Sequence, residues 1–214
     1  MKHIPLRLSV LLFALVLFSC QKKEGSFEMK SGIITMNVEI TGVNSKGTTI
    51  VYFDEYGKKQ SIETIRETQI MGNMVKSHTL SFQKDGYQYV IDYDAKTATR
   101  RKLDSNSRGG SFDFASLTED EKKRYNVRKT GTDNVLGKTC DLYSIGSDSL
   151  QMKGTFSVWN NITLKMEVET GSPASFVMKS RVTAVKFEED VAIPADKYAV
   201  PEGYKVEDEL QQQN

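Results

Sequence analysis

The stretch Ile34-Thr35-Met36-Asn37-Val38-Glu39-Ile40-Thr41 puts an apolar side chain at every second position and a polar one between. Side chains alternate across a strand, so this period of two predicts a β-strand with one buried and one wet face. The same grammar repeats toward the C-terminus. Gly42 to Gly47 supplies a turn, and Thr48-Thr49-Ile50-Val51-Tyr52-Phe53 follows, rich in the β-branched and aromatic residues that suit a pleated surface. Tyr56-Gly57-Lys58-Lys59 turns the chain into 60–69, and 74–82 reads as a further strand. Asp85-Gly86 is a strong hairpin signal ahead of Tyr87-Gln88-Tyr89-Val90-Ile91-Asp92-Tyr93, because both residues tolerate positive φ. Asp94-Ala95-Lys96 turns again into 97–103. Six short strands so closely spaced predict an antiparallel meander.

The meander breaks at 104–111, a Ser/Gly-rich loop, followed by Phe112, Phe114 and Leu117. One helix is predicted near 118–128: Thr118 can cap it, Glu121 can close a capping box, and acids precede bases as the helix dipole prefers. Strand signals resume at Lys138. The alternation from Phe156 to Val168 would make a single strand of about 43 Å, twice the usual length. Asn160-Asn161 in its middle therefore predicts a hairpin turn. One more long strand is expected over 174–187. Pro194 and Pro201 then bar a central strand and leave an extended finish, with a frayed tail at 209–214. The fold class is mainly β (α+β): a curved antiparallel sheet or incomplete barrel, with a short helix plugging its concave face.

The N-terminus carries an address. Lys2 and Arg7 precede an apolar run of 11 residues, 8–18, long enough for a signal-peptide core but short of the roughly 20 residues that span a bilayer. The run ends at Ser19-Cys20, which resembles a bacterial lipoprotein box. That resemblance implies removal of 1–19, a diacylglycerol on Cys20 and a polar tether over 20–30. A single domain over 31–208 follows. The 29 basic and 28 acidic residues of the 214-residue chain give a formal charge of +1, and loss of 1–19 removes two of the bases. Neither balance suits nucleic acid. Arg100-Arg101-Lys102, the one basic cluster, reads as a solvated strand face. With Cys20 claimed by lipid, Cys140 has no disulfide partner and reads as a small buried hydrophobe.

Catalysis needs a positioned base, nucleophile or metal. His78 is the one histidine beyond the leader, too few for a histidine-rich zinc site, and it reads as a packed strand residue. No serine sits in a Gly-x-Ser-x-Gly elbow. Asp92 and Asp94 read as turn formers. The chain is therefore expected not to be an enzyme and to need no cofactor or metal. The aromatic residues are the better lead: Tyr87, Tyr89 and Ile91 share a strand face, and Trp159 lies at a hairpin edge. Each can be ordinary core or the lining of a hydrophobic cavity. Phe112, Phe114 and Leu117, between a Gly-Ser loop and a charged helix, read as a lid over such a cavity or as a fixed plug.

Three segments, in order, resemble the family of the periplasmic lipoprotein carrier and its outer-membrane receptor, the LolA/LolB type. These are Leu136-Gly137-Lys138-Thr139-Cys140-Asp141-Leu142-Tyr143, Val158-Trp159-Asn160-Asn161 with Leu164-Lys165-Met166, and Val191-Ala192-Ile193-Pro194 with Pro201-Glu202-Gly203-Tyr204. The Tyr52–Gly57 stretch and the lipoprotein box are similar to Bacteroidota-type lipoproteins at the edge of that family. The chain departs from the carrier in having little room for a helix before its first strand. The resemblance implies a half-barrel whose cavity takes a lipid or an acylated lipoprotein, in a protein anchored in the bacterial envelope, at the outer membrane facing the periplasm. The alternative is a scaffold or sensor that meets another protein, of unknown identity, through its sheet face. Mass spectrometry of the purified N-terminus should find a diacylated Cys20, and Cys20→Ser should release the protein in soluble form. An intact Ser19-Cys20 bond would contradict the anchor.

Overall fold

The computed structural model describes residues 25, 27–103, 117–149, 151–171 and 176–209. Strands account for 64% of these residues and form one long curved sheet that does not close into a barrel. The first meander runs as β1 (Gly32–Thr41), β2 (Ser45–Asp54), β3 (Lys59–Ile70), β4 (Asn73–Lys84), β5 (Tyr87–Asp92) and β6 (Thr97–Lys102). After helix α1 (Glu119–Arg124) comes a second meander: β7 (Arg128–Val135), β8 (Lys138–Ser147), β9 (Met152–Trp159), β10 (Ile162–Thr170) and β11 (Met178–Glu189). The last strand among the described residues is β12 (Lys205–Asp208). The order across the sheet is β12-β6-β5-β4-β3-β2-β1-β11-β10-β9-β8-β7. Strand β1 thus pairs with β2 on one side and β11 on the other, which joins the two meanders.

The hairpins turn where positive φ is available. Asp85-Gly86 and Asn160-Asn161 both hold two successive residues at positive φ, the requirement of a type I′ turn. Met71-Gly72 does the same between β3 and β4. Helix α1 is shorter than the sequence suggests. Thr118 and Glu121 form the expected capping box, but Asn126 turns left-handed at φ 46° and ends it. The amides of Val127 and Asn126 reach back to the carbonyls of Lys122 and Lys123, the bonding of a Schellman stop. Two strands escape the sequence reading. Polar β7 shows no alternation because nearly all of it is exposed at the sheet's edge. Strand β12 follows the prolines and adds in parallel to β6, where Arg100 grips Asp208 at 2.6 Å. Strand β11 runs 178–189 rather than 174–187, and 172–175 lie outside the described residues.

The cross-strand register separates two faces. Ile34, Val51, Ile62, Ser81 and Val90 stand opposite one another on one face, and Ile33, Tyr52, Ser61, Phe82 and Tyr89 on the other. Both carry core, in different places. On the Ile34 face, Phe27, Ile34, Met36 and Phe53 pack with Ile162 and Leu164. Edge-to-face contacts run Phe27–Phe53–Phe187–Trp159 at centroid spacings of 5.0, 6.3 and 5.8 Å. On the Tyr52 face, Leu80, Phe82, Ile91 and Ala98 are covered by Tyr198, Val200 and Tyr204 of the closing segment. A third cluster, Ile145, Phe156 and Val158, receives Leu117 and Val127. Phe156 shares the Ile34 face through Met166, Val182 and Val38. The α1 segment therefore sits on that face, held by the residues flanking it; the helix itself buries none of its own.

The β3–β4 tip stands out from this packing. Ile70, Met74 and Val75 are about half exposed and Met71 is 99% exposed. Met71 holds φ 48°, a conformation that suits asparagine far better than a long side chain. Met71→Asn should therefore raise stability by about 0.5–1 kcal/mol, a gain of the size expected from correcting a turn residue. Chemical denaturation checks this; a loss of stability would mean that Met71 packs more than its exposure indicates.

Candidate functional site

The candidate site lies on the Ile34 face at the junction of the two meanders. Ile34, Met36, Val51, Ile62, Ile162, Met166 and Val182 line a cavity of about 220 Å³ together with Thr163 and Lys165, with Phe27 as one wall. Strands β1, β2, β3, β10 and β11 each present their period-two apolar residues here, so the cavity follows directly from the alternation that begins at Ile34. Phe27 reaches it from the segment ahead of β1. Its amide donates to the Tyr56 carbonyl at 3.0 Å, and the Tyr56 amide donates to the Lys30 carbonyl at 2.9 Å. Such a lining offers dispersion contacts and exclusion of water, and few ways to fix a polar ligand.

The residues singled out from sequence are spread over separate places. Ile91 is fully buried on the Tyr52 face, under the closing segment. Tyr89 stacks on Phe82 at 5.1 Å in the same region, and Tyr87 lies beside it with the Arg100 guanidinium 5.0 Å from its ring centre. None of the three lines the cavity on the Ile34 face. Trp159 belongs to the other meander, edge-on to Phe187, with Lys138 Nζ 3.8 Å from its ring centre. Leu117 packs in the third cluster. Cys20, Phe112 and Phe114 lie outside the described residues. Cys140 is buried, and burial pushes its thiol up from the ordinary range, as suits a packing residue.

A buried polar cluster escaped the sequence reading. Glu63 points to the Tyr52 face and is only 7% exposed. Tyr52 Oη donates to its Oε2 at 2.7 Å, Lys197 Nζ donates to the same oxygen at 2.8 Å, and His78 Nε2 lies 2.7 Å from Oε1. His78 also lies against Tyr93, with ring centres 4.3 Å apart. Burial alone would raise the Glu63 carboxyl, but the bonds from Lys197, Tyr52 and His78 hold it down at about 2. Burial and the bond to Glu63 push the Tyr52 phenol up to about 12. The cluster ties the closing segment to β3. A carboxylate in the buried register of a strand was the available signal; its partner Lys197 is too distant in sequence to be found by spacing.

A larger groove, about 520 Å³, crosses β1, β11, β10, β9 and β8, lined by charged ladders. Arg181 lies 3.1 Å from Glu167 and 3.9 Å from Glu39, while Glu169 meets Lys153 at 3.0 Å and Lys179 at 3.2 Å. These charges satisfy one another, which leaves the groove neutral. Among the described residues no group of three or more His, Cys, Asp or Glu could hold a metal ion, and no helix is long and apolar enough to cross a membrane.

No family model and no curated protein matches the chain. Solved structures do. An uncharacterised conserved protein from Thermus thermophilus superposes with a TM-score of 0.53 at 9% identity, over 85% of this chain and 92% of that one. MucB in the Pseudomonas aeruginosa MucA/MucB complex gives 0.44 at 12% identity, over 84% of this chain but 58% of its own, so the chain spans little more than half of MucB. LprF from Mycobacterium bovis gives 0.38 at 11% identity, over 77% of this chain and 89% of that one. At such identities a likeness concerns the fold alone.

The Glu63 cluster has a testable pH signature. A carboxyl held near 2 when folded, against an ordinary value of 4.5, contributes stability that is complete above about pH 4.5 and is lost as pH falls toward 2. Glu63→Gln leaves Lys197 without its buried anion, with only the exposed Asp196 at 3.8 Å, and should cost about 3 kcal/mol at pH 7. Its melting temperature should also respond less to acid between pH 5 and 2 than that of the wild type. Parallel slopes in that window would remove Glu63 from the account.

Proposed function

We propose that this protein is a non-enzymatic lipoprotein of the bacterial envelope that binds a hydrophobic ligand, an acyl chain of a lipid or of an acylated protein, in the cavity on the Ile34 face. The observation that carries this reading is the lining: seven aliphatic side chains and Phe27, against only Thr163 and Lys165 as polar members, around one opening in a sheet that does not close. A volume of about 220 Å³ is below that of a typical drug-sized site and suits a length of hydrocarbon chain. The Ser19-Cys20 sequence supports anchoring through a diacylglycerol, with the outer membrane facing the periplasm as the proposed location. No reaction is assigned, because His78 and Lys197 are both engaged with the buried Glu63 carboxylate.

The exposed β3–β4 tip favours a second reading, that of a scaffold or sensor whose contact with another protein is apolar. Met71, Ile70, Met74 and Val75 make up such a surface. One experiment separates the two. Native mass spectrometry of protein purified from membranes should show a bound amphiphile, and a stoichiometric protein in its place would support the second reading. In vitro, the wild type should take up a fluorescent fatty acid. Val182→Lys, which puts a charge into the lining, should abolish uptake, and Val185→Lys on an exposed bulge should not. Equal uptake by both variants would overturn the cavity as the binding site.

A further inference from the structure

The segment just ahead of β1 is built into the structure more deliberately than a tether requires. Residues 27–31 run across the turn Glu55–Gly57, where three successive residues are left-handed, at φ 52°, 59° and 87°. Two of them are not glycine, and such strain persists only where the surroundings hold it. The hydrogen bonds from Phe27 to Tyr56 and from Tyr56 to Lys30 supply part of that hold, beside those from Glu55 N to Asp54 Oδ1 at 2.7 Å and from Gln60 Nε2 to the Gly57 carbonyl at 2.8 Å. Contact is close at both ends. A Cβ on Gly25 would lie 2.1 Å from the Tyr56 carbonyl oxygen, and a Cβ on Gly57 would lie 2.7 Å from the Phe27 ring. Segment and turn therefore fit only because both positions are glycine. The side chains delivered are apolar: Phe27 is buried against Phe53, and Met29 packs on the same core.

Phe27 is also a wall of the cavity, so the segment occupies apolar space that a ligand would use. We infer that residues 27–31 form a strap that competes with the acyl chain: docked on the strained turn it keeps the cavity small, and undocked it opens the cavity. This rests on the acyl-binding reading above. The Phe27 ring and a ligand chain offer the same kind of burial, so exchanging one for the other needs no gain of apolar surface in water. The turn contributes the bias. Released from Phe27 and Lys30, it can relax its left-handed residues, which offsets part of the loss of strap contacts. In sequence the strap begins seven residues after Cys20, so loading the cavity would lengthen the free chain between domain and anchor.

Two variants undock the strap differently. Phe27→Ala removes the competing ring, and Gly25→Val prevents the close approach to Tyr56 without touching any lining side chain. A protein whose binding-competent state is a minor fraction binds with affinity reduced by that fraction. Both variants should therefore bind a fluorescent fatty acid about fivefold or more tightly than the wild type. Adding the fatty acid to the wild type should accelerate hydrogen exchange at the Phe27 and Tyr56 amides, while the amides of β10 stay protected. If the wild type binds the probe but Gly25→Val binds it no better, and exchange at Phe27 and Tyr56 is unchanged by probe, the strap is a fixed part of the core and the inference is wrong. If no form binds the probe, the acyl reading falls and the strap's role falls with it.

Discussion

Everything in this sheet depends on β1 having both of its edges paired. Each meander could form by itself from neighbouring hairpins, but only the β1–β11 ladder makes one continuous surface of them. The ladder runs the length of β1 and absorbs a bulge between Thr35 and Met36, which keeps Met36 opposite Ala184 and Val38 opposite Val182. Side chains swap faces with every one-residue slip, so this bulge decides which residues meet in the cavity. It brings Val182 onto the wall that Ile34 and Met36 already share through the alternation of β1.

The two faces do different jobs. The Tyr52 face is closed by a folded-back chain end, locked by a carboxylate that three donors share, and its aromatic residues are consumed in that closure. The Ile34 face at the strand junction keeps an opening. The division explains why a row of tyrosines, the most conspicuous apolar feature of the sequence, does not line the cavity. Aromatic content shows where surface must be covered, and here the cover is the chain's own 198–204 region.

Local features were legible because they rest on local physics. The alternation at Ile34–Ile40, the Asp85-Gly86 and Asn160-Asn161 turns, and the Thr118/Glu121 capping box each follow from a few adjacent residues, and each is present. What escaped depends on distant partners. Strand β7 is polar because it is an edge, and β12 exists because Arg100 and the open side of β6 were waiting for it. Glu63 is charged in a buried register because Lys197 returns 134 residues later. Period-two patterning names the residues of a face but does not say which face the chain end will cover. That choice puts Tyr87, Tyr89 and Ile91 on the Tyr52 face, apart from the cavity on the Ile34 face.

An open sheet has two rims, and those of this protein differ. The β12 rim is only four residues long and rich in charge, with Glu207 and Asp208 among them. Strand β7 is twice that length and, among the described residues, its outer edge has no partner strand, a row of backbone donors and acceptors that is a template for another chain. Its defences are Arg128, Lys129 and the ladder irregularity before Gly131. Arg128 and Lys129 sit at one end of β7 and Asp133 toward the other, so antiparallel β7-to-β7 pairing would set basic residues of one copy against the acidic residue of the next. Rim-to-rim stacking on this side would therefore close into a two-fold dimer, and the four-residue length of β12 keeps the opposite rim from extending that pair into an array.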